Sequence, residues 1–124
     1  MNECDVIVVG VGTMGAATCY ELASRGQRVL GLDQFDIPNE KAAHHGLSRM
    51  FRLAYFEHPD YVTLLIRACE LWEKIERDSG EKLLHLCGGL YMGRPDCDLV
   101  SGSLAAACQH DLAHETLDHA DLAK

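Results

Sequence analysis

The hydrophobic pattern changes character twice within the first 33 residues. Asp5-Val6-Ile7-Val8-Val9 is a short apolar, β-branched run, the mark of a buried parallel strand. Gly10-Val11-Gly12-Thr13-Met14-Gly15 follows at once. Ala16 to Arg25 then places apolar residues at Ala17, Tyr20, Leu22 and Ala23, a helical pattern that Gly26 ends. Val29-Leu30-Gly31-Leu32 is a second apolar run, and Asp33 closes it. The pattern predicts strand, tight turn, helix and a second, parallel strand.

The remaining chain is less regular. Gln34 to Lys41 contains Pro38 and mostly polar residues, which predicts a loop. Ala42 to Arg52 mixes His44, His45, Gly46, Arg49 and Arg52 with small residues and has no core pattern. A loop there lies at the C-terminal edge of the sheet, where doubly wound folds place ligands. Pro59-Asp60 predicts a helix start with Asp60 as N-cap. Val62, Leu65, Cys69, Trp72 and Ile75 then recur every three to four residues, so Trp72 reads as a core residue of this helix. Glu70 and Lys74 are spaced for an ion pair, and Ser79-Gly80 ends the element. Lys82 to Leu86 and Leu90 to Met92 are short strand candidates around Gly88-Gly89. Arg94-Pro95-Asp96 reads as a turn, and Leu99 to Gln109 as a weaker helix interrupted by Gly102. Glu115 to Leu117 reads as extended, and Asp118 as the cap of one more short helix.

The glycine run gains chemical meaning from its surroundings. Gly10 permits the tight turn, Gly12 lets the backbone approach a pyrophosphate, and Gly15 lets helix and strand pack closely. The helix N-terminus offers free N–H groups to phosphates. Asp33 stands 18 residues beyond Gly15, near the ~20 of a dinucleotide fingerprint, and can accept from ribose hydroxyls. An acid there disfavours a 2′-phosphate, so NADP is not expected. FAD and NAD both remain open on this stretch.

Composition narrows the partners. A net charge of −8 argues against nucleic acid and anionic membranes. No stretch approaches the ~18 apolar residues of a membrane span, and the N-terminus runs directly into a strand, so neither anchor nor signal peptide is expected. The 124 residues, 48% hydrophobic, suit one globular domain of modest core. Six cysteines without a C-x-x-C pair read as reduced, mostly buried thiols of a cytoplasmic protein. His110 and His114 are spaced to share a helix face, but no third ligand stands in a known spacing, so no metal is expected.

Three motifs in register carry a more specific resemblance. They are D-V-I-V-V-G-x-G-x-M-G through Asp5 to Gly15, H-H-G-x-(S/T)-R-x-x-R-x-A-Y through His44 to Tyr55, and Y-V-x-L-x-x-R-x-x-E-L-W through Tyr61 to Trp72. With them the chain resembles the N-terminal part of the monomeric sarcosine oxidase and N-methyltryptophan oxidase family, which also contains pipecolate oxidase. The resemblance implies an α/β fold: an incomplete Rossmann-like FAD-binding domain over residues 1–82, and the start of a second, substrate-binding domain over 83–124. It implies FAD as cofactor, with hydride passing from a secondary or N-methyl amino acid to the flavin and O2 then reduced to hydrogen peroxide. Gly10, Gly12, Thr13, Met14 and Gly15 match the pyrophosphate turn, and Asp33 the ribose ligand. His44, Ser48, Arg49 and Met50 match positions lining the flavin. His45, Arg49 and Arg52 match the catalytic centre, with Arg52 pairing with the substrate carboxylate, a task suited to a planar guanidinium.

The chain departs from the family at Ala42-Ala43, where Gly-Ser is usual, and at Leu47, where a polar residue is common. Family members are roughly three times as long. The resemblance therefore places the covalent-flavin cysteine, the oxygen-site lysine and most substrate contacts outside these residues, and the chain is expected to be inactive without that remaining part as partner. None of the six cysteines matches the late cysteine. Two other readings stay open: a non-catalytic nucleotide- or partner-binding remnant, and an NAD-dependent dehydrogenase domain, which the stretch from His44 to Arg52 disfavours.

Overall fold

The computed structural model describes residues 3–122. The chain divides into two compact units, Met1–Met50 and Phe51–Lys124. In the first unit β1 (Val6–Val9), α1 (Thr13–Ser24) and β2 (Val29–Leu32) follow in order, and β1 pairs with β2 in parallel, Val6 opposite Val29 and Val9 opposite Leu32. This is the strand–turn–helix–strand that the sequence predicts. The helix begins three residues earlier than its apolar pattern does. Gly12 is its N-cap, and the Gly12 carbonyl accepts from the Ala16 amide at 2.8 Å, so Thr13 to Gly15 belong to the first turn. At the other end Gly26 has a φ of 80°, and its amide donates to the Ala23 carbonyl at 2.9 Å.

Pleat and register decide which face α1 covers. A Cβ at Gly15 would lie 3.5 Å from Val8, and one at Gly31 would lie 3.3 Å from Cys19 of α1. Val8 and Gly31 are partners across the ladder, so this is the helix side of the sheet. The alternate residues Ile7, Val9, Leu30 and Leu32 keep 55, 84, 44 and 46% of their surface exposed. The fully buried strand expected from the apolar run is therefore corrected: one helix covers one face of a two-stranded sheet. Asp5 and Arg28 clamp the open end of the ladder. The Arg28 guanidinium donates to both Asp5 carboxylate oxygens, at 2.7 and 3.0 Å, and holds that carboxyl below its usual range.

The second unit holds α2 (Tyr61–Ser79), α3 (Asp98–Gln109) and the short α4 (His119–Leu122). Among the described residues its buried side chains are Val62 of α2 and Ser103, Ala106 and Ala107 of α3. Gly102 does not interrupt α3. A Cβ there would overlap the Phe56 carbonyl oxygen and lie 3.1 Å from its carbon, so glycine is what allows the 51–56 segment to approach the helix. Trp72 remains 43% exposed and is not a core residue. Asp60 is helical at φ −60° and makes no side-chain cap bond. The turn at Pro59 extends into α2 instead, with the Val62 amide donating to the Pro59 carbonyl at 2.9 Å, and Asp60 pairs with His58 at 3.5 Å. Asp118 does cap α4, accepting from the amides of Ala120 at 2.7 Å and Asp121 at 3.0 Å.

No strand forms over 82–92. The Glu76 carboxylate on α2 takes the amides that a ladder would use, accepting from Leu83 at 3.0 Å and Leu84 at 2.6 Å while pairing with Lys82 at 2.7 Å. The Lys82 ammonium and these amides pull the Glu76 pKa down to about 2. The contribution of Glu76 is thus fully present above the ordinary value of 4.5 and is lost as pH falls from there through about 2. Urea melts should show Glu76→Gln less stable than the parent at pH 7, with the difference vanishing between pH 4.5 and 2. A pH-independent difference would refute the carboxylate's role.

Candidate functional site

The first unit gathers the glycine turn, the acid after β2 and the following loop. Gly10 leaves β1 with a φ of 88°, and its amide donates to the Leu32 carbonyl at 2.7 Å. Asp33 Oδ2 accepts from the Val11 amide at 2.7 Å, and Oδ1 accepts from Phe35 at 3.1 Å. The fingerprint's first and last elements are thereby joined across 22 residues. These amides hold the Asp33 carboxyl below its usual range, the Val11 bond being the larger cause. Sequence spacing proposed Asp33 as a ligand for ribose; it did not reveal this second duty in the turn.

The glycines divide into two kinds. Gly15 is required by the fold itself, since a Cβ there would overlap the Gly10 carbonyl oxygen and lie 2.9 Å from its carbon. Gly12 is not. Its φ of −75° suits any residue, and the only side chain near a Cβ would be Ala42 at 4.0 Å. The space beside Gly12, at the N-terminus of α1, is what an incoming pyrophosphate needs. The residues present therefore fit a dinucleotide.

The loop after β2 folds against this turn. Asn39 organises it, its side-chain oxygen accepting from the amides of Lys41 at 2.8 Å and Ala42 at 3.1 Å. His44 Nδ1 stands 2.6 Å from the Thr13 hydroxyl. His45 Nδ1 lies 3.1 Å from the Ala42 carbonyl. Arg49 turns back on the loop, donating to the carbonyls of Ala43 at 3.2 Å, Ser48 at 3.3 Å and His45. Met14 and Met50 are exposed. Arg52 belongs to the second unit, where its guanidinium sits 5.2 Å from the Tyr55 ring centre. Thus Gly10 to Gly15, Asp33, His44, His45, Ser48, Arg49 and Met50 share one unit, and Arg52 the other.

Residues 5–124 match the FAD dependent oxidoreductase (DAO) family. The chain belongs to that family. FAD is accordingly the cofactor of its fold, which settles the choice that the fingerprint left between FAD and NAD. The chain is 50% identical over 114 residues to the monomeric sarcosine oxidase of Streptomyces avermitilis, covering 92% of this chain and 30% of that protein. It is 38% identical over 121 residues to the monomeric sarcosine oxidase of Bacillus sp. strain B-0618, covering 97% of this chain and 31% of the relative. It is 37% identical over 114 residues to the N-methyl-L-tryptophan oxidase of Yersinia pestis, covering 92% and 31%. The chain thus spans just under a third of the length of these curated relatives.

Other chemistry-bearing residues do not assemble. His110 caps the end of α3 and His114 lies beyond it, so they share no helix face, and His114 Nδ1 is 2.7 Å from the Leu112 carbonyl. Among the described residues no group of three or more histidines, cysteines and carboxylates could hold a metal. All six cysteines are free thiols, with Cys87 and Cys108 exposed and the others half-buried. Burial and the neighbouring Glu73 and Glu70 push the Cys69 thiol up, away from reactive thiolate. No described helix is long and apolar enough to cross a membrane.

Proposed function

We propose that this chain is the cofactor-binding part of an FAD-dependent oxidase of N-methyl or other secondary amino acids. The observation that carries the reading is the joined turn. Asp33 holds the Val11 amide, α1 opens at Thr13, and Gly12 leaves room beside both. The similarity to sarcosine and N-methyl-tryptophan oxidases supplies the substrate class. Bound FAD supplies the hydride acceptor that O2 later reoxidises to give hydrogen peroxide.

The chain's own residues then have distinct tasks. Gly10, Gly12, Thr13, Met14 and Gly15 receive the pyrophosphate, and Asp33 accepts from the adenosine ribose. His44, Ser48, Arg49 and Met50 would line the flavin, and His45 and Arg49 would serve the catalytic centre. Arg52 grips the substrate carboxylate through two parallel N–H donors. Residues 1–82 form part of the FAD domain and 83–124 begin the substrate domain.

The test uses the purified chain and a chimera in which residues 1–124 replace the corresponding part of the Streptomyces sarcosine oxidase. The chain alone should bind FAD and yield no sustained peroxide from sarcosine. The chimera should yield peroxide, and Arg52→Lys in it should raise KM about tenfold or more, because lysine loses the paired contact. Binding of NAD with FAD ignored would overturn the reading, and unchanged kinetics in Arg52→Lys would remove Arg52 from the site.

A further inference from the structure

The Thr13 hydroxyl, on the first residue of α1, is 2.6 Å from His44 Nδ1. Both side chains are exposed, so this contact is not forced by core packing. The loop bearing His44 is held independently by Asn39 on one side and by Arg49 on the other. Within that frame, the ring nitrogen meets the hydroxyl of the first residue of α1, at the helix end assigned above to the pyrophosphate.

Hydrogen accounting makes the contact informative. A hydroxyl has one hydrogen and two lone pairs, and a neutral imidazole has one N–H and one bare nitrogen. With Nδ1 bare, Thr13 donates its hydrogen to His44 and turns only lone pairs to its surroundings. Those lone pairs repel a phosphate oxygen. With Nδ1 protonated, His44 donates to Thr13 Oγ1, and the hydroxyl's own hydrogen is free. Only this second arrangement presents a donor to an anion, in line with the amides at the helix end.

We propose that His44 is a positioning residue for the cofactor, its Nδ1–H turning the Thr13 hydroxyl hydrogen toward the pyrophosphate of FAD. This rests on the FAD reading of the glycine turn and gives His44 a role exerted through Thr13. The Nδ1–H tautomer and the imidazolium both satisfy it, because each carries the required hydrogen.

The test is histidine-selective 15N NMR of the 124-residue chain titrated with FAD, with the His44 signals assigned by their loss in His44→Asn. At saturation the His44 Nδ1 shift should be that of a protonated nitrogen. His44→Ala and Thr13→Val should each weaken FAD binding about tenfold, as expected for a bond to a charged group. The double variant should fall no further than about twofold below either single one, since both remove one linked interaction. His44→Asn, with an amide donor near the Nδ1 position, should recover most of the loss. A bare Nδ1 in the FAD-bound chain, or losses that multiply, would overturn the proposal. Binding weakened by Asp33→Ala yet indifferent to His44 would remove this inference and leave the FAD reading standing. A parent chain that ignores FAD would remove both.

Discussion

Gly15→Ala is expected to unfold the β1–α1–β2 unit, whereas Gly12→Ala should keep the unit folded and lose FAD. In an ordinary helix the exchange of glycine for alanine stabilises by about 1 kcal/mol. At position 15 the added methyl meets the Gly10 carbonyl, a backbone group at the turn that cannot swing aside as a side chain would. Relief requires α1 to lift from the sheet face at Val8 and Gly31, the face that it covers. Overpacking of this kind costs about 1–3 kcal/mol and sometimes more, and the backbone partner places Gly15 at the upper end. At position 12 the methyl enters open space with an allowed φ of −75°. Alanine is a poorer N-cap than glycine, so stability should fall by no more than about 1 kcal/mol, while FAD affinity falls at least about tenfold because the methyl occupies the approach of the pyrophosphate. Urea melts followed by circular dichroism, with FAD fluorescence titrations in parallel, separate the two effects. A parental melting midpoint for Gly15→Ala, or parental FAD affinity for Gly12→Ala, would show that the roles are misassigned.

Asp33→Ala should weaken FAD binding by about ten- to hundredfold, through two losses that act together. The carboxylate has room for about four acceptor contacts, and the amides of Val11 and Phe35 take one on each oxygen. The lone pairs that remain suit ribose hydroxyls. Alanine leaves those hydroxyls without a partner and releases the Val11 amide within the turn that receives the pyrophosphate. The Asp33→Asn exchange is not neutral either, because a single carbonyl oxygen replaces two acceptors and the new NH2 opposes one of the two amides. The pH dependence follows from the lowered folded pKa. The Asp33 contribution is fully present above its ordinary value of 3.8 and is lost as pH falls through the lowered one. FAD affinity should thus show no loss attributable to Asp33 between pH 8 and 5, with the decline confined to more acid solution. Isothermal titration of the parent and both variants across that range checks it. An Asp33→Asn variant that binds like the parent would argue that charge and the second acceptor are immaterial.

The amino-acid sequence by itself determined the elements whose causes are local. A β-branched run, three glycines and an acid specify β1, the turn, α1 and β2, because conformational freedom at glycine and apolar periodicity act over a few residues. The stripe on α2, the turn at Pro95 and the Asp118 cap are legible for the same reason. The motifs from His44 to Trp72 also pointed to the family and its cofactor. What tertiary structure decided were interactions that no local pattern specifies. Glu76 takes the amides of 83 and 84 and so removes the strand that their side chains predict. The Phe56 carbonyl, 46 positions before Gly102, turns an apparent helix breaker into a packing requirement. His44 reaches Thr13 across 31 residues, and Asp33 reaches Val11 across 22. Trp72 follows the helical period yet stays exposed, because a period defines a face and only a neighbouring element can cover it. Sequence patterns record a residue's own conformational preference. A hydrogen-bond partner or a covering surface belongs to whatever the fold brings alongside, and for this chain those partners lie seven or eight residues away at Glu76 and tens of residues away at Thr13, Val11 and Gly102.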